Sequence, residues 1–172
     1  MPTAILNRLP APPLCQVLVA GTWPSKASAH APSICSALVP GLLHAPLRTL
    51  CLSGSMLGAG GVRALSRLAS DGCSQLCATL RDLRLHTVNN DTFEPHEQFN
   101  DCLADLLVQL PDLETLDIGH NWLGLHGVAA VSPALVRMAG LRHLGLSGSS
   151  LCAGAANILA LVLYFNTSLR VR

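Results

Sequence analysis

Hydrophobic and polar positions along the 172-residue chain fall into a frame that returns several times. It is clearest from Leu113 to Leu135. Leu113, Leu116 and Ile118 take positions 1, 4 and 6, Asn121 position 9 and Leu123 position 11. The alternation around Leu116 and Ile118 is that of a short strand with one buried side. Gly124 and Gly127 free the backbone for a tight bend, after which Val128, Val131, Leu135 and Met138 recur at helical spacing. Strand, turn and helix make one unit.

The same frame recurs at Leu141, Leu144, Leu146, Ser149 and Leu151, and again at Leu47, Leu50, Leu52, Ser55 and Leu57. A fourth copy, Leu80, Leu83 and Leu85, loses the frame at Val88, and Leu14, Val17 and Val19 form the most degenerate one. The copies begin at 14, 47, 80, 113 and 141, spaced by 33, 33, 33 and 28 residues, and Leu169 opens a partial sixth. This register predicts parallel strands near 48–53, 82–86, 115–119 and 143–147, with Leu50, Leu52, Leu83, Leu85, Leu116, Ile118, Leu144 and Leu146 buried. A polar insertion at 86–101 runs into a helix expected from about Asn100 to Gln109, and a second excess lies at 69–79. Residues 1–13 read as the end of a preceding repeat or an irregular N-terminal segment, and 14–172 as the repeating domain. Neither end carries a visible polar cap of the sort stacked repeats need, so the chain is expected to belong to a longer array or to need a partner at its ends.

The Leu-x-x-Leu-x-Leu strand, with Asn121 at position 9, Leu123 at position 11 and a helix behind, resembles a leucine-rich repeat of the ribonuclease-inhibitor type. The resemblance implies an α/β right-handed solenoid of about five leucine-rich repeats, parallel strands on the concave face and helices outside. The family places at position 9 an Asn, Cys, Ser or Thr whose side chain satisfies backbone groups of the bend. Asn121, Thr22, Ser55 and Ser149 fit that role; Val88 does not, which leaves the bend after Leu85 unaccounted for by the pattern. Proteins of this family bind other proteins through the concave face. In this register positions 3, 5, 7 and 8 of each strand point into it, and the middle strands carry the charge. The candidate binding residues are therefore Asp82, Arg84, His86, Asp117 and His120, with His143 on the next strand and Trp122 on the rim of the bend. A blander reading stands beside this one. Any sheet that faces water is polar, and Arg84 and Asp117, one strand apart, would then merely pair as a surface ion pair.

Composition sharpens the picture in three ways. Half of the residues are hydrophobic but only 3% are aromatic, so the core must be filled by Leu, Val and Ala. The net charge of +1 gives no argument for nucleic acid, yet residues 85–136 hold eight Asp or Glu and no Lys or Arg. With Phe93 and Phe99 among the acids of 91–101, that segment suits another protein with a basic surface patch. Seven cysteines, an odd number without a C-x-x-C pair, fit free thiols in a reducing, cytoplasmic setting; Cys73 and Cys77, four apart, have no second pair to complete a zinc site. The longest apolar run, Ile158 to Phe165, is shorter than the roughly 20 residues that span a bilayer, so no membrane association is expected. Asn90 and Asn166 each open a glycosylation sequon.

Two carboxylates and three imidazoles on adjacent strands could in principle hold a metal or run acid–base chemistry. They lie on an open sheet among Gly, Ser and Thr, however, with no nucleophile elbow, so neither enzymatic activity nor a cofactor is expected. The reading reached from the sequence is a non-catalytic protein–protein interaction scaffold, acting through the strand face and the 86–101 loop. The alternative is a regulatory subunit or activator of an enzyme, as in the GTPase-activating and ligase-adaptor proteins that use similar repeats.

Overall fold

In the computed structural model, residues 15–18, 46–55, 57–70, 75–89 and 96–169 are described. Five strands, β1 (Cys15–Leu18), β2 (Leu47–Cys51), β3 (Asp82–Arg84), β4 (Thr115–Asp117) and β5 (His143–Gly145), lie side by side in chain order. Helices α1 (Gly58–Ser70) and α2 (Gln75–Thr79) follow β2, and α3 (His96–Val108), α4 (Gly124–Arg137) and α5 (Ala153–Phe165) follow β3, β4 and β5. Every strand pairing is parallel. Leu50, Leu83, Leu116 and Leu144 stand opposite one another across the sheet, and Val17 of β1 stands opposite Leu50.

The strands are short because the chain turns as soon as its two inward leucines are placed. Turning follows a repeated geometry. Position 8 of the units that start at 47, 80, 113 and 141 has a positive φ: 72° at Gly54, 56° at Thr87, 54° at His120 and 63° at Gly148. The ladder continues into that bend. The position-6 amides of Leu52, Leu85 and Ile118 donate to the carbonyls of Arg84, Asp117 and Gly145 in the next unit, at 2.9, 2.7 and 3.0 Å. The position-8 amides of Gly54, Thr87 and His120 donate likewise to His86, Gly119 and Ser147. Backbone groups that a turn would otherwise leave unpaired are thus satisfied by the neighbouring unit.

Helix α1 packs on α3, α3 on α4 and α4 on α5, in step with the strands. The strand leucines and the inner helix faces form one core, and the other face of the sheet is open to solvent. Leu50, Leu52, Leu83, Leu85, Leu116 and Ile118 are buried as the frame predicts. Leu144 and Leu146 are only half-buried. The reason is positional: β5 has β4 on one side and, among the described residues, no further strand on the other.

Two other expectations need correction. The helix expected from Asn100 begins at His96, because Phe99 turns inward and is fully buried, so the apolar stripe starts a turn earlier. The bend after Leu85 has the same left-handed residue as the other bends, at Thr87, although Val88 occupies position 9. Among the described residues, no helix is long and apolar enough to cross a membrane. Residues 1–13, Thr22, Cys73, the Asn90 sequon and Phe93 lie outside the described residues.

Candidate functional site

On the open face, Asp82 and Arg84 come from one strand, two residues apart and hence on the same side. The Arg84 guanidinium folds back along β3 and donates from Nε and Nη2 to the two oxygens of Asp82, at 3.0 and 2.8 Å. This corrects the cross-strand pairing expected with Asp117, which stands opposite Arg84 in the register but forms no ion pair among the described residues. The hydrogen bond and the charge of Asp82 raise the Arg84 pKa, with smaller contributions from Cys51 and Asp117. A bidentate arrangement within one strand is available at once, whereas reaching Asp117 would forfeit it.

Asp117 instead turns towards β5. Its Oδ1 accepts the Gly119 amide at 3.1 Å, and a Cβ placed on Gly145 would lie 2.6 Å from the same oxygen. His120 leans in the same direction, since a Cβ on Gly148 would come within 2.5 Å of its ring. The glycines of β5 and its bend are therefore a floor over which the β4 side chains lie. The His86 and His120 rings are 4.6 Å apart and tilted by 51°, and His86 Nδ1 is 2.7 Å from the Thr87 hydroxyl. Asp82, Arg84, His86, Asp117 and His120 thus share the open face, on neighbouring strands. His143 stands opposite Thr115 on β5, is exposed, and its ring has no hydrogen bond or ion pair among the described residues.

Trp122 is not part of this group. It lies past the bend with φ of 55°, is 54% exposed, and stacks on His96 at the start of α3 with ring centroids 6.2 Å apart. Two acids of the acidic segment lie near arginines, Glu114 3.8 Å from Arg48 and Asp112 3.9 Å from Arg81, and Asp101 lies 3.9 Å from the His126 ring.

Behind the face, Asn121 is fully buried. Its Nδ2 donates to the carbonyls of Leu85 and Ile118, at 2.6 and 3.0 Å, and its Oδ1 accepts the amides of Val88 and Asn89, both at 2.9 Å. The bend after Leu85 is therefore served by the asparagine of the following unit, which is why Val88 can stand at position 9. Sequence reasoning missed three further buried amides. Asn89 donates to the Asn121 carbonyl, Asn100 to that of Leu123, and Asn166 to those of Leu135 and Met138. A polar residue inside an otherwise apolar stripe was the available signal for Asn100. Asn166, one of the two sequon residues, is buried and structural.

Among the described residues, no group of three His, Cys, Asp or Glu side chains is placed to hold a metal ion. No protein-family model matches the chain, and no curated protein matches it.

Proposed function

We propose that this chain is a leucine-rich repeat protein of the ribonuclease-inhibitor type, a right-handed solenoid that acts as a non-catalytic scaffold. Its partner is another protein with a basic patch, held on the strand face rather than by nucleic-acid or membrane contacts. The observation that carries this reading is the disposition of Asp117. Its carboxylate projects over Gly145 on an open face, without an ion pair among the described residues, while Arg84 nearby is already occupied by Asp82. A Lys or Arg of a partner could reach that carboxylate across a strand without side-chain walls. A reducing, cytoplasmic setting belongs to the same proposal and is favoured by Cys102, which packs into the core as a small hydrophobe.

Affinity capture from cell extract tests it, with the intact chain, the triple variant Asp82→Ala, Asp117→Ala and His120→Ala, and Ser147→Trp as a steric block. Ser147 is the better site for the block because it is exposed, whereas any side chain at 145 displaces Asp117 itself. The expected result is a protein captured by the parent, lost with both variants and weakened by salt. Equal capture by all three chains would remove the strand face from consideration. The regulatory-subunit alternative differs in its readout, a change in the captured enzyme's turnover.

A further inference from the structure

In the middle of the open face, two side chains from neighbouring strands close over Gly119. A Cβ placed there would lie 3.3 Å from Asp117 Oδ1 and 3.3 Å from Cδ2 of the His86 ring. Gly119 is buried beneath them, while Asp117 and His86 themselves stay half-exposed. The exposed His120 completes the cluster, its ring 4.6 Å from that of His86 and tilted against it by 51°. The floor continues under Gly145, below the Asp117 carboxylate, and Gly148, below the His120 ring. Two of the three groups are held in place: the His86 ring at Nδ1 by the Thr87 hydroxyl, and the Asp117 carboxylate at Oδ1 by the Gly119 amide. The other carboxylate oxygen, Oδ2, accepts no hydrogen bond among the described residues. A fixed, half-exposed carboxylate with an unused oxygen therefore stands beside two imidazole rings.

We infer that this cluster seats an arginine side chain of the partner, its guanidinium taken in preference to a lysine ammonium. The inference rests on the proposal that a basic protein is held on this face, and it names the side chain that is held. A lysine ammonium is a compact, strongly hydrated charge that gains from the carboxylate but little from the rings. A guanidinium is flat and weakly hydrated, so it donates along one edge to Asp117 while a face lies on an imidazole. The chain shows this mode of binding on the same face, where Arg84 makes a two-point contact with Asp82. That contact also keeps Arg84 from Asp117, which stands opposite it in the register. Asp82 thereby leaves the Asp117 carboxylate open to an arginine from outside. A metal ion is a poorer occupant, because the described residues place no group of three ligands for one.

Titrating the isotope-labelled full chain with N-acetylarginine amide and with N-acetyllysine amide, followed by proton–nitrogen NMR, tests the inference without a partner. The Gly119 amide is the reporter, since it donates to Asp117 Oδ1. The arginine probe is expected to shift it with a dissociation constant on the order of millimolar, at least threefold below that of the lysine probe. This comparison on the parent needs no variant. Among variants that keep the circular dichroism of the parent, Asp117→Asn should weaken arginine binding at least fivefold, and His86→Ala should abolish the preference over lysine. Asp82→Ala should also weaken binding, by freeing Arg84 to reach Asp117, and adding Arg84→Ala should restore it. Loss that persists in that double variant would put the bound arginine on Asp82 and overturn the inference. Equal binding of the two probes, or a Gly119 amide that does not move, would overturn it as well. A captured protein without this arginine preference counts against the inference alone, and arginine binding without a captured protein counts against the scaffold reading alone.

Discussion

Asn121 joins two units through one side chain, with four backbone partners on both sides of the inter-unit boundary. Asn121→Ala leaves those groups buried and unsatisfied and is expected to cost about 3 kcal/mol, read from urea unfolding. Position 9 of the frame foresees that role for Asn121 but not for Ser55 and Ser149, whose buried hydroxyls have no hydrogen-bond partner among the described residues. Which bend the side chain serves is not foreseen, because the helper of one unit sits in the next, 33 residues on. Thr87 offers a prediction of opposite sign. A β-branched residue at φ of 56° is strained, so Thr87→Gly should stabilise the fold by up to about 1 kcal/mol in the same assay, less what the hydroxyl's contact with His86 supplies. Cys77 is a third case. Burial raises the pKa of its thiol, which donates to the Ala69 carbonyl, so at pH 8 it holds less thiolate than a free cysteine. It should be alkylated well after the exposed Cys152 when labelling is followed by mass spectrometry.

At the scale of elements, each helix takes its position from an apolar stripe that meets the strand leucines. Leu116 lies in the middle of that contact, with strands on both sides, and Leu116→Ala should cost about 2–5 kcal/mol in thermal or urea melts. Helix α4 carries Pro133 in its interior, on the exposed side, where the ring removes one backbone hydrogen bond. Pro133→Ala should therefore raise stability, by about 1 kcal/mol or more after allowing for a freer unfolded chain, with added helicity at 222 nm. The strands were legible because leucine spacing alone sets their register. The start of α3 was not, since Phe99 stands among acids and amides, and only its burial shows that it belongs to the stripe. The same limit applied to Arg84. Residue types and a register name its possible partners, but the choice of Asp82 over Asp117 depends on side-chain reach within one strand.

Taken as a whole, the molecule is a row in which the main packing contacts join elements of neighbouring units. The open strand face and the layer of helices were both legible from periodicity. The half-burial of Leu144 and Leu146 was not, because a repeat pattern makes every unit look equivalent and says nothing of position in the row. The spacing of the strands has a kinetic consequence. Neighbouring strands are separated by about 30 residues wherever they lie in the row, so each docking step closes a loop of similar length at similar entropic cost. No step must wait for the two chain ends to meet. Folding can then begin where local order is easiest, around α3 and β4, and spread outward as a front one unit at a time. Unfolding under denaturant should retreat along the same line, with the amides of α5 exchanging before those of β3 and β4.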